Sequence, residues 1–209
     1  MDTKQPRIVS ALLIITTGSA GAQATQPAPP EAKPYTLFNP RPQDQRRPLE
    51  ADRPDVTESP RTVDAGALQL EMSFVEAAWN GGQRQIDVAP FLFKVGLTHS
   101  MDLQLGFAPF SHARNDEGET DRGIGPTQIR LKMNLCGNDE GTTALGLMPF
   151  ITLPTGDDDF GPDEVEGGLI IPFAVDLNES LSLGLMAEFD LVHVDEANDY
   201  ELQYVQPEA

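Results

Sequence analysis

Between residues 125 and 135 the chain reads GPTQIRLKMNL, and Thr127, Ile129, Leu131, Met133 and Leu135 alternate with Gln128, Arg130, Lys132 and Asn134. A helix would mix the two sets around its circumference. A strand separates them, because successive side chains point to opposite faces, so the pattern predicts a strand with one apolar and one charged face. The same alternation recurs on either side. Residues 67–79 set Leu68, Leu70, Met72 and Phe74 against Gln69, Glu71 and Ser73. Residues 85–97 alternate through Phe91, Phe93, Val95 and Leu97, and 101–110 set Met101, Leu103, Leu105 and Phe107 against Asp102, Gln104 and Gly106. Residues 143–153, 165–175 and 181–191 continue the series, and 200–205 form a weaker eighth segment.

Seven or eight strands joined in sequence by turn residues make an all-β antiparallel up-and-down meander. The connections alternate in length. Those after the second, fourth and sixth strands are short (Thr98-His99-Ser100, residues 137–141, and Asn178-Glu179-Ser180), whereas residues 111–123 and 154–164 are long polar loops. Long loops at one end and turns at the other are the asymmetry of an outer-membrane β-barrel, whose strands run about 9–11 residues and alternate apolar-out with polar-in. A sandwich or small soluble barrel turns its apolar face inward. Here the other face carries Glu71, Gln104, Arg130, Lys132, Glu166 and Glu188, and burying those in a dry core is costly unless they are paired. The pattern therefore predicts an outer-membrane barrel, with about eight strands present.

Composition changes the picture at the N-terminus. Lys4 and Arg7 precede an apolar run over 8–15 and small residues up to Ala24, the three-part layout of a secretory signal, with cleavage expected after Ala22 or Ala24. The run is shorter than the roughly 20 residues of a spanning helix. Residues 1–24 are thus expected to be a signal peptide, 25–64 a Pro-rich charged segment and 65–209 the strands. The middle segment has too little apolar surface to offset the entropy of ordering it. At its end Asp52, Arg53, Asp55 and Glu58 crowd together just before the first strand. Two readings stand: a solvated lead-in, or a lumen segment that folds back into a polar cavity and pairs with charges there.

The formal net charge of −19 arises entirely beyond Asp64, because residues 1–64 hold eight basic and eight acidic side chains. Nucleic acid is excluded as a partner, since a polyanion requires a basic footprint. Membrane lipid and a small-molecule solute are the partners expected. No catalytic constellation stands out, and neither a cofactor nor a metal is expected. His99, His112 and His193 lack metal-ligand spacing, and the acidic run over 157–164 lacks the spacing of an EF-hand loop. The single cysteine, Cys136, reads as a small turn residue. Trp79, Phe107, Phe110, Phe150 and Phe173 fall near strand ends and fit either aromatic girdles or ordinary sheet-face positions. Arg130 and Lys132 against Glu71, Glu166 and Glu188 are the candidates for a functional, pore-lining interior. They would set a transverse field across a lumen, or else plug it as a structural ion-pair network.

The run ADRPDVTESPRTV, followed by FKVGLTHSMDLQLGFAPF, IRLKMNLCGNDEGTTALGLMPFITLPTG, VEGGLIIPFAVDL and LGLMAEFDLV, resembles the outer-membrane transporter-like family labelled "MetA-pathway of phenol degradation". The resemblance covers about residues 51–191. It implies a bacterial outer-membrane β-barrel that serves as a channel or transporter for hydrophobic or aromatic compounds. The end of the chain departs from the family pattern. Such chains run on to a last strand with a terminal aromatic residue, whereas this one ends Gln206-Pro207-Glu208-Ala209, which implies a C-terminally truncated member and an incomplete barrel. A structural or binding β-protein of the periplasm or cell surface, without transport, is the alternative function.

Overall fold

In a computed structural model of the chain the described residues are 34–52, 57–80, 83–115, 117–139, 141–157, 160–178, 181–194 and 199–204. The expected signal peptide and two residues of the expected lumen segment, Arg53 and Asp55, lie outside them.

The fold is all-β and antiparallel. Its strands are β1 (Leu68–Met72), β2 (Val75–Asn80), β3 (Gln83–Val88), β4 (Phe91–Thr98), β5 (Met101–Phe107), β6 (Phe110–Arg114), β7 (Thr120–Gly123), β8 (Thr127–Cys136), β9 (Thr143–Leu153), β10 (Glu166–Asn178), β11 (Leu181–Val194) and β12 (Asp199–Tyr204). They form an eight-stranded sheet in the order β1-β4-β5-β8-β9-β10-β11-β12 and a four-stranded sheet in the order β2-β3-β6-β7. The second sheet continues the first. Each long strand of the first half is kinked once: β1 runs on into β2, β3 into β4, β5 into β6 and β7 into β8. Backbone hydrogen bonds still bridge the kinks, from Ser73 to Pro90, Ala89 to Phe74 and Gly125 to Ala108. At one kink Ala89 takes a left-handed conformation (φ 54°) immediately before Pro90, whose ring removes a ladder donor.

The polar stretch over 111–123 is not the loop its composition suggests. It holds most of β6 and all of β7, a hairpin extension closed by a turn in which the Gly118 N–H donates to the Asn115 carbonyl at 3.1 Å. Gly118 sits at φ 87°, where glycine is favoured. Most side chains of this extension are exposed, so backbone pairing forms the strands without any apolar alternation to announce them.

The two faces of the main sheet have opposite character. On the outer face Leu68, Leu70, Met72, Leu103, Leu105, Leu135, Ile151, Leu185 and Leu191 are exposed. On the inner face Gln69, Lys94, Asp102, Gln104 and Lys132 are buried. The cover over that inner face is residues 50–52 and 57–64, which touch strands from β1 to β11. Asp52 donates its N–H to Glu71 on β1, Pro60 packs on Gly146 of β9, and Thr57 reaches Gly184 of β11. The sheet wraps this segment. Register shifts occur in three hairpins at their short-turn ends, between Gly96 and Thr98, Asn134 and Cys136, and Asp176 and Asn178. Such bulges tighten strand twist locally.

Candidate functional site

Strand register sets the site. Directly opposed residues share a face, and on the inner face one row runs Gln69, Lys94, Gln104, Arg130, Phe150, Gly168, Asp190 across seven strands. The next row toward the short turns includes Gly96, Asp102 and Lys132. Three cationic side chains, Lys94, Arg130 and Lys132, are thereby brought within two neighbouring rows. Their spacing follows from the period of two alone.

The folded-back segment supplies most of their counter-charge. Asp52 is 3 % exposed and its Oδ2 accepts from both Lys94 Nζ and Lys132 Nζ, the latter at 2.6 Å. Its other oxygen, Oδ1, accepts the Ser59 N–H at 2.8 Å. Lys94 also pairs with Glu71, whose second oxygen accepts the Asp52 N–H at 2.9 Å. Glu58 pairs with Arg130. Asp102 Oδ2 accepts the Val63 N–H at 2.8 Å and its Oδ1 accepts from Gln104 at 2.9 Å. A buried charge is tolerated only when paired and hydrogen-bonded, and every ionised group in this set has such a partner.

Toward the short turns the segment is clamped a second time. Asp64 pairs with Arg41 at 3.0 Å and Arg47 at 2.9 Å and accepts the Arg47 N–H at 2.6 Å. Burial on its own would raise the Asp64 carboxyl, but the Arg47 N–H and the guanidinium groups of Arg47 and Arg41 outweigh it and hold the carboxyl below the usual aspartate range. Asn138 accepts the Thr62 N–H at 3.0 Å and donates to the His99 carbonyl. Gly96 is required here, because a Cβ on it would run into the backbone of Val63 and Asp64.

The far wall is chemically different. Met148, Phe150 and Ile170 form a buried cluster with Met186 packed against it, and both Pro60 and Pro172 pack close to Gly146, where a Cβ would meet each. Phe150 is therefore an inner-face core residue and belongs to no girdle. Trp79 and Phe110 are exposed, and Phe107 stacks edge-on against Phe91 with ring centres 5.9 Å apart. Asp157 of the acidic loop accepts the Ile124 N–H at 2.9 Å, which gives it a structural role at the β7–β8 kink.

Of the six inner-face residues expected from sequence, Glu71, Gln104, Arg130 and Lys132 come together with Asp52 and Glu58. Glu166 and Glu188 lie on the same face, on β10 and β11. Glu166, at the far end of β10, accepts the His193 backbone N–H at 3.1 Å, and Glu188 lies opposite Ile170 in register. Arg130 and Lys132 take their carboxylate partners from the folded-back segment. Sequence reasoning missed Lys94 as a central group, although the alternation of Phe91, Phe93 and Val95 already assigns it to the polar face. For Asp64 and Arg47 no local signal exists, because their pairing depends on where the segment folds.

Neither the curated proteins nor the solved structures contain a match to this chain. A family model described as "Putative MetA-pathway of phenol degradation" matches residues 51–204, from the folded-back segment through β12. With most of its length so matched, the chain belongs to that family.

Proposed function

We propose that the protein is a non-catalytic outer-membrane β-barrel that passes small solutes, aromatic or hydrophobic compounds among them, through its inner face. One observation carries this reading: the sheet exposes its apolar side and buries its charged one. Soluble proteins rarely leave contiguous apolar patches beyond a few hundred Å² exposed. A face of Leu68, Leu70, Met72, Leu103, Leu105, Leu185 and Leu191 is suited to lipid, and the polar lining to water and solute. The description of the family, a putative MetA-pathway of phenol degradation, accords with uptake of an aromatic compound.

A second reading is favoured by the segment itself. Residues 50–52 and 57–64 occupy the inner face through paired charges, as a structural plug would, and under that reading the protein conducts nothing.

The test is the mature protein from an outer-membrane fraction, examined for heat-modifiable gel mobility and for conductance in planar bilayers. Heat-modifiable protein that conducts supports the channel. Heat-modifiable protein that never conducts supports the plugged structural barrel, and protein found only in the soluble periplasmic fraction overturns the membrane assignment.

A further inference from the structure

We infer that Lys94 and Lys132 form an anion site which Asp52 fills as a tethered carboxylate, and that a small free carboxylate with an apolar body takes the same site and releases the segment. This inference rests on the reading of the inner face as a solute path and names the solute class for it.

The site is cationic before the segment arrives. Lys94 comes from β4 and Lys132 from β8, two strands apart in the sheet, yet both ammonium groups converge on the single oxygen Oδ2 of Asp52. The sheet positions both cations, whereas the anion is brought by a segment that belongs to no strand of the sheet. Arg130, in the same row as Lys94, likewise takes its anion, Glu58, from the segment. Without the segment the sheet retains three cations and only two acids close by, Glu71 and Asp102.

Room for a free ligand lies beside this pair. A cavity of about 300 Å³ is bounded by Lys94 and Gln69 on the sheet side and by residues 47–50 and 61–64 on the segment side. Its three lining acids are matched to guanidinium groups, Glu50 to Arg61 and both Asp64 and Asp139 to Arg47, so the cation it offers a ligand is Lys94, beside apolar Pro48, Leu49 and Val63. The neighbouring carboxylate of Glu71, already paired with Lys94, disfavours a second negative charge on the ligand.

The test uses full-length protein in detergent micelles, with trypsin as the probe of the segment. The Arg61–Thr62 bond is the reporter, because Thr62 is buried against Asn138 in the docked state. Benzoate should accelerate cleavage after Arg61 at least fivefold, whereas benzyl alcohol of similar size and inorganic phosphate should not. Asp52→Asn should raise benzoate affinity about tenfold by calorimetry, since the tethered competitor is gone, and adding Lys94→Met and Lys132→Met should abolish binding. Equal acceleration by benzyl alcohol, or none by benzoate in the wild-type protein, overturns the inference without recourse to any variant. A protein that conducts but whose segment ignores benzoate defeats this inference alone. One whose segment responds but which never conducts defeats the channel and leaves the anion site standing.

Discussion

Lys132 Nζ lies 2.6 Å from Asp52 Oδ2, and this one contact joins strand β8 to a segment eighty positions earlier in the chain. Both side chains are almost wholly buried, so the pair holds the segment only while both charges are present. Removing one partner of such a pair costs about 3–5 kcal/mol, because the other charge is left uncompensated. Lys132→Met should therefore lower the urea midpoint of the purified protein. Lys132→Met combined with Asp52→Asn should lose less than the two single changes added together, since the cycle removes both charges. Strict additivity would mean that the contact carries no coupling.

Asp64 predicts a pH dependence with a definite sign. Its carboxyl is held below the ordinary aspartate value by Arg47 and Arg41 despite burial. A depressed folded-state value stabilises the fold above the unfolded value of about 3.9, and that contribution disappears as pH falls through the folded one. Docking of the segment, read by trypsin protection above pH 6 and by an acid-active protease below pH 4, should weaken on acidification. Asp64→Asn should be weaker near neutrality and show a smaller change with pH. An unchanged acid response in that variant would remove Asp64 from the explanation.

Gly96→Ala tests the clamp by volume alone. The added Cβ meets the backbone of Val63 and Asp64, and forced overpacking costs about 1–3 kcal/mol. Cleavage after Arg61 should rise while the strand content by circular dichroism stays the same. Gly106→Ala is the control, because its Cβ would meet only ordinary contacts at 3.8 Å and beyond.

Charge reversal at Arg130 distinguishes a conducting interior from an inert one. Arg130→Glu faces Glu58 with a like charge and undoes a pair that ties the segment to β8. Under the channel reading it should increase conductance and shift selectivity toward cations. Unaltered conductance, with the segment released by the trypsin criterion, would mean that the inner face is not the path.

Leu103→Arg addresses the other face. Leu103 is 41 % exposed near the middle of β5. A charge there costs roughly 2–4 kcal/mol if it meets lipid at mid-depth, and close to nothing if it meets water. Loss of heat-modifiable protein from the outer-membrane fraction is the expected outcome. Normal assembly would contradict lipid contact at this position.

The alternation around Arg130 and Lys132 was enough to predict their strand and their face, because a period of two is local information. The hairpin of β6 and β7 was not legible, since Ser111, His112 and Arg122 show no apolar rhythm and even the side chain it buries, Ser111, is polar. Nor was the destination of the segment fixed by its composition. Asp52 and Glu58 read equally well as solvated charges until the cations that receive them are placed by register. Glu166 and Glu188 share a face with Arg130 but stand two and three strands away in the sheet, a distance that face membership alone cannot supply.

The kinks redirect the strands of the first half rather than lengthen them: residues 101–114, kink included, cover the same span as the unkinked β11, Leu181–Val194. The two sides of the sheet thus differ in chemistry as well as in path, with Lys94 and Lys132 on kinked strands and Phe150, Met148 and Ile170 on straight ones.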